Sequence, residues 1–209
     1  MGLKLFETMD FSESISVTKS LPLFQKILDG LDVELLLSEM NSFISDDKKY
    51  ADNAPWFSIY DIDVASSKQQ LLDIGLLNYY QQYQMTQSQI EVPWQNWRDG
   101  IGDYTKSVFN DSLPGFHRPR YVVAGPGWQV SNHTDWGSNS QLGLRFHLLL
   151  QTNDQCVHYA TGDDNIEQSV AFQPGEVWFY NVEKTHRAEN LGSAIRKSIS
   201  FELFNDDLI

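Results

Sequence analysis

The chain has one cysteine, Cys156, among its 209 residues. No disulfide can close within it, which fits a reducing, cytoplasmic setting, and cysteine pairs for a structural zinc site are absent. Positive charge is also scarce: Lys and Arg total 15 against 28 Asp and Glu, a formal charge of −13, and no basic run occurs. A phosphate backbone or an anionic membrane surface needs clustered Lys and Arg, so neither nucleic acid nor membrane is an expected partner. No apolar stretch approaches the ~20 residues that cross a bilayer. Met1 to Asp10 carries one lysine and no long apolar run, unlike a secretory leader. Gly2 does not open a myristoylation motif, because Phe6 stands where Ser or Thr is needed. Internal repeats and low-complexity segments are lacking too.

What remains is a globular composition, with 41% apolar, 21% charged and 13% aromatic residues. The length suits one domain over residues 1–209. Its texture changes near residue 115. Before that point Leu31, Leu35, Leu36, Met40, Phe43 and Ile44 recur at helical spacing, predicting a helix over Val33 to Ile44 capped by Asp32. Similar spacing predicts helices over Ser67 to Tyr83 and Trp94 to Phe109, both weakened by glycine, with a loop over Asp46 to Asn53. After residue 115, β-prone runs alternate with turn signals: Tyr121 to Ala124, Trp128 to Val130, Leu142 to Thr152, Glu176 to Tyr180 and Ile195 to Phe204. The expected class is mainly β with N-terminal helices (α+β). Residues 1–115 form a helical region packing on a β core of 116–209, a sandwich or barrel.

The β half carries an unusual set of polar residues. His133-Thr134-Asp135 is followed by Arg145-Phe146-His147, then His186, then Arg196 ten residues later. Two histidines and a carboxylate are a ligand set for non-haem Fe(II) that leaves coordination positions open. An H-x-D pair alone is weak; His186 and the arginines behind it give it weight. Residues two apart share a strand face, so His133 goes with Asp135, Arg145 with His147, and Arg196 with Ser198 and Ser200. Phe146, Leu148 and Leu150, like Ile199, Phe201 and Leu203, fall on the opposite, apolar face. Arg145 and Arg196 sit in otherwise apolar strands, where an unpaired guanidinium costs several kcal/mol. A dicarboxylate co-substrate meets that need through a bidentate fork; a structural salt bridge to one of the acids is the alternative.

The segments PRYVVAGPGWQVSNHTDW, LGLRFHLLLQTN, PGEVWFYNVEKTHRAEN and IRKSISFEL, spanning residues 119–203, resemble the aspartyl/asparaginyl β-hydroxylases. These are a branch of the Fe(II)/2-oxoglutarate-dependent oxygenases that includes proline hydroxylases. The resemblance implies a double-stranded β-helix, also called a jelly roll or cupin-like fold. It implies that His133, Asp135 and His186 bind Fe(II) and that Arg196 holds the distal carboxylate of 2-oxoglutarate. Arg145 and His147 would meet the other end of the co-substrate or the substrate. The implied reaction consumes O2 and 2-oxoglutarate, releases succinate and CO2, and hydroxylates an unactivated C–H bond of an amino acid or amino-acid side chain.

Two departures matter. The aspartyl hydroxylase subgroup has glycine where this chain has Asp135, so the full triad sits closer to the proline-hydroxylase type. Asp135 also fills the site a halide would need, which favours hydroxylation. Val122 stands where relatives place a hydrogen-bonding side chain, and Ser198, two residues past Arg196, is the candidate replacement. A free amino-acid-like substrate is slightly preferred over a peptide side chain, and the oligomeric state is not legible. Competing readings are a non-catalytic cupin-like metal or small-molecule binding protein and a zinc hydrolase. The zinc reading gives Arg196 no purpose.

The remaining polar and aromatic residues read more plainly. Trp128 and Trp178 are expected in the core, and Trp136 at the core or pocket rim. Asn190 serves either a turn or the orientation of His186. His117 and His158 are expected on the surface. The acidic stretch Asp154 to Ser169 is expected to be a loop, either a plain one or a substrate lid.

Overall fold

The computed structural model describes residues 21–51, 62–64, 67–73, 75–76, 96–97, 100–113, 116–135 and 144–203. Strand β1 (Phe24–Leu28) precedes the long helix α1 (Val33–Ala51). Short strands β2 (Ile62–Val64), β3 (Ser67–Asp73), β4 (Gly75–Leu76) and β5 (Asn96–Trp97) follow. Helix α2 (Asp103–Ser107) runs into a π-helical turn at Val108–Ser112. Next come β6 (Phe116–Ala124), β7 (Trp128–His133), β8 (Leu144–Gln151) and β9 (Cys156–Thr161). The last are β10 (Glu167–Val170), β11 (Val177–Tyr180), β12 (Thr185–Asn190) and β13 (Arg196–Leu203).

Strands β6 to β13 make two four-stranded antiparallel layers, β11-β8-β13-β6 and β10-β9-β12-β7. This is the double-stranded β-helix, or jelly roll. The first layer grows to seven strands because β1 pairs with β11 at one edge and β3 and β2 extend the other.

The two faces of the larger sheet differ as strand periodicity requires. Phe146 and Leu148 on β8, Ile199 and Phe201 on β13, and Phe179 on β11 form a fully buried outer face. Helix α1 covers it with Leu36, Met40 and Phe43, spaced one and two turns apart. Asp32 caps α1 as expected, its Oδ1 accepting from Leu35 N at 3.0 Å. Glu39 of α1 in turn caps α2, which has no capping side chain of its own. Its carboxylate accepts from Tyr104 N at 3.0 Å and from Thr105 N at 2.8 Å. The carboxylate lies so close to Gly102 that a Cβ there would meet Glu39 Cδ at 2.0 Å, so a side chain at this position would have to push the capping carboxylate aside.

Four local expectations are corrected. The helix expected over Ser67 to Tyr83 does not form in the described part of that range: Ser67–Asp73 is strand β3, paired with β6 from Gln69↔Ala124 to Asp73↔Arg120. The leucine doublets at 71–72 and 76–77 suit either period, and the open edge of β6 decided between them. Residues 77–83 lie outside the described ones. The helix expected over Trp94 to Phe109 starts only at Asp103, because Gly100 adopts φ 91°. The loop expected over Asp46 to Asn53 is helical as far as Ala51. Finally, Asp154 to Ser169 is not a long loop. It forms the β9–β10 hairpin, paired from Glu167↔Thr161 to Val170↔His158.

Candidate metal and anion site

The two layers face each other across a cleft of about 340 Å³. Arg120, Arg145, His147, Tyr180, Arg196 and Ser200 reach it from the larger sheet; His133, His158, His186 and Trp128 reach it from the smaller.

A bulge aims the first histidine inward. On β7, Trp128 and Val130 face the cleft, so simple alternation would turn Asn132 inward and His133 outward. The pairing with β12 shifts, however: Ala188 opposes Val130 while His186 opposes His133. One extra β7 residue is thereby accommodated, and His133 swings into the cleft directly beside His186.

Backbone carbonyls then fix both rings. His133 Nδ1 donates to Ser131 O at 2.7 Å, and His186 Nδ1 donates to Lys184 O at 2.9 Å. A carbonyl can only accept, so each Nδ1 carries a proton and Nε2 is the ring atom left to face a metal. Asp135 lies just past β7, its N–H donating to Val182 O at 3.1 Å. Its Oδ1 stands 3.1 Å from His133 Nε2 and 3.6 Å from His186 Nε2. Metal–ligand bonds of ~2.1 Å meeting at right angles place donors ~3 Å apart. The two carboxylate-to-imidazole distances are near that spacing, and all three ligand atoms lie within 4.8 Å of one another, so one ion can be reached by all three. Burial holds His186 below its ordinary pKa, in the neutral form a metal requires.

Arg145 orients the carboxylate. Its Nη1 donates to Asp135 Oδ2 at 2.7 Å, leaving Oδ1 for the histidines. The salt-bridge alternative considered for Arg145 thus has a partner in Asp135.

The cleft floor is cationic. Arg196 is 1% exposed, and its Nη2 donates to His147 Nδ1 at 3.3 Å. Its Nε has no partner, and no carboxylate among the described residues pairs with it. Burial pulls its pKa below the usual guanidinium value. Burial first, then the charge of Arg196, holds His147 well below the ordinary histidine value. It is therefore a neutral acceptor. Ser198 is fully buried behind this floor with Oγ unbonded, in register with Val122 and Leu149.

Two other expectations need restating. His158 is not on the surface: it is 2% exposed and lines the cleft. The alternation Cys156, His158, Ala160 along β9 carried that signal. Asn190 serves the turn rather than His186, its Nδ2 donating to Ala124 O, Gly125 O and Ala194 O at 3.0, 3.1 and 2.9 Å. Trp128 is buried as expected; Trp178 is half-buried, donating from Nε1 to Glu176. Trp136 and the His117 side chain lie outside the described residues.

One solved structure shares this architecture, and two others resemble it more loosely. A prolyl hydroxylase in complex with a hypoxia inducible factor oxygen degradation domain peptide fragment from Trichoplax adhaerens superposes with a TM-score of 0.54 at 11% identity, covering 96% of each chain. A prolyl-4-hydroxylase of Pseudomonas putida gives 0.45 at 14% identity over 91% of this chain and 97% of that one. An oxidoreductase of the 2OG-Fe(II) oxygenase family from Burkholderia pseudomallei gives 0.45 at 12% identity over 78% and 77%. No family model and no curated protein matches the sequence. No helix among the described residues is long and apolar enough to cross a membrane.

Proposed function

We propose that this chain is an Fe(II)- and 2-oxoglutarate-dependent oxygenase that hydroxylates a C–H bond of an amino acid or an amino-acid side chain. One observation carries the reading. A three-donor set on His133, Asp135 and His186 shares a cleft with Arg196, a buried guanidinium that no carboxylate among the described residues neutralises. A metal at the donors and a dicarboxylate reaching from it to Arg196 satisfy both ends together. A zinc hydrolase leaves Arg196 unexplained, and the complete His133, Asp135 and His186 set argues against a degenerate binding module.

In this reading His133 and His186 offer Nε2 to Fe(II), and Asp135 offers Oδ1 while Arg145 steadies its other oxygen. When bound, Fe(II), 2-oxoglutarate and O2 would supply the oxidising chemistry: 2-oxoglutarate would take up one atom of O2 and lose CO2 to become succinate, and the other atom would enter the substrate C–H bond. Arg196 grips the distal carboxylate through its fork. Neutral His147 fixes the guanidinium through Nη2, which leaves the remaining N–H groups for the anion. Ser198 is the proposed hydroxyl partner in place of Val122, and Ser198→Ala should weaken 2-oxoglutarate binding. The apolar side chains of Val130, Val182 and Ala188 line the same cleft and keep water from the reacting centre. The R-x-H strand and the ten-residue spacing from His186 to Arg196 support an aspartyl/asparaginyl β-hydroxylase-like or proline-hydroxylase-like member. The preferred substrate is a small amino-acid-like molecule, with a peptide side chain as the other arm of the screen.

Anaerobic addition of Fe(II) and 2-oxoglutarate is expected to give a weak visible charge-transfer band. Succinate release in air, screened over free amino acids and short peptides, then identifies the substrate. Absence of the band together with absence of succinate overturns the reading.

A further inference from the structure

His158 is a buried polar residue with no visible structural reason to be polar. It stands on β9 in register with Ala188 and lines the cleft. Phe172 stacks on its ring at 4.3 Å and 16°, and Tyr180 meets it edge-on at 5.5 Å. Neither Nδ1 nor Nε2 has a hydrogen-bond partner. Packing against Phe172 and Tyr180 would be served as well by phenylalanine, without two unsatisfied nitrogens. The ring is also 5.6 Å from that of His147, whose Nδ1 is engaged by Arg196. All three side chains thus share the floor of one cleft.

A carboxylate has about four lone-pair directions. The Arg196 fork meets two of them, and the others need donors that add no second buried positive charge. A neutral imidazole supplies one such donor. We propose that His158 is a carboxylate-binding residue, its uncharged ring donating one N–H to the distal carboxylate that Arg196 grips. This rests on the co-substrate reading above and extends it to a residue outside the iron and arginine motifs.

The test compares wild type, His158→Phe and His158→Asn, each loaded with Mn(II) to prevent turnover. Calorimetry measures binding of 2-oxoglutarate and of 2-oxovalerate, which has the same chelating end and no distal carboxylate. Loss of a hydrogen bond to a charged group should weaken 2-oxoglutarate binding by about ten- to a hundred-fold in His158→Phe. Binding of 2-oxovalerate should not change, and His158→Asn, which keeps a donor, should recover part of the loss. Without ligand, His158→Phe should melt no lower than wild type, since it keeps the ring stack and removes the unbonded nitrogens. A purely structural histidine predicts the reverse: a lower melting temperature and equal losses for both ligands. Equal 2-oxoglutarate affinity in wild type and His158→Phe overturns the assignment alone. Failure of wild type to bind 2-oxoglutarate overturns the co-substrate reading and this assignment together.

Discussion

Replacing Arg196 with methionine should move stability and binding in opposite directions. The guanidinium is 1% exposed, and its hydrogen bond to His147 Nδ1 at 3.3 Å joins it to a neutral ring rather than to an anion. Taking an ion out of water costs several kcal/mol, and an imidazole acceptor returns little of that. Methionine fills much of the same volume without charge. The ligand-free protein should therefore gain ~1–4 kcal/mol, and for a domain of this size each kcal/mol raises Tm by roughly 2–4 °C. The same substitution leaves the distal carboxylate buried without its cation. Breaking such a pair costs ~3–5 kcal/mol, so 2-oxoglutarate affinity should fall by about two to three and a half orders of magnitude. Urea unfolding of the ligand-free protein measures the first effect, and titration of the Mn(II)-loaded protein measures the second. A variant that loses stability yet binds 2-oxoglutarate normally would show Arg196 to be a structural cation and refute the reasoning.

The other predictions concern the groups around it. Arg145→Met should lower metal affinity by about 10- to 100-fold, because Asp135 loses the partner that turns Oδ1 toward the histidines; competition against a chelator reads this, and an unchanged affinity contradicts it. Burial holds the His158 pKa well below its ordinary value, so its neutral form is the folded form. Its contribution is complete above the unfolded-state pKa of ~6.5 and is lost as pH falls, at about 1.4 kcal/mol per pH unit until its folded-state pKa is reached. His147 and His186 are also held below their ordinary values and add slope of the same sign to both proteins, so urea unfolding between about pH 6.5 and 5.5 should show a wild-type slope steeper than that of His158→Phe by up to about 1.4 kcal/mol per pH unit; identical slopes would be inconsistent with a buried neutral ring. Asn190→Ala removes the two amide N–H donors shared among Ala124 O, Gly125 O and Ala194 O and the oxygen that accepts from Asn153, and should cost ~2–4 kcal/mol of stability. Metal affinity should stay unchanged, and a variant that loses metal instead would place Asn190 with His186.

The sequence was legible where periodicity and packing agree. Strands β8 and β13 alternate polar and apolar residues well enough, Leu149 and Lys197 apart, that both faces follow from the text, and the N-terminal helices could be offered as cover for the apolar one. The ligand set could be picked out by residue type and spacing. Its geometry could not: alternation from Trp128 points His133 the wrong way, and only the bulge against β12 corrects it. A bulge depends on what the partner strand offers, which local sequence does not contain. The same limit explains β3, where leucine doublets fit helix and strand alike and the edge of β6 decided. His158 was misplaced for another reason. The acidic hairpin end, with Asp163 and Asp164, made the whole stretch read as solvated loop. The alternation in Cys156–Thr161 was too short to outweigh it.

The order of the larger sheet also bears on how the protein comes into being. Its central strand, β13, joins β8 to β6 and is the latest of the described strands in sequence, whereas the rims are β1 and β2. During synthesis the early strands emerge without the neighbours they will pair with, and β1 waits for Val177 to Tyr180. Such long-range pairings make assembly slow and leave apolar strands uncovered meanwhile. Because Arg196 lies on β13, the anion pocket takes shape only with that final pairing, so a nascent chain halted before it would have both histidines and no floor for a dicarboxylate to rest on.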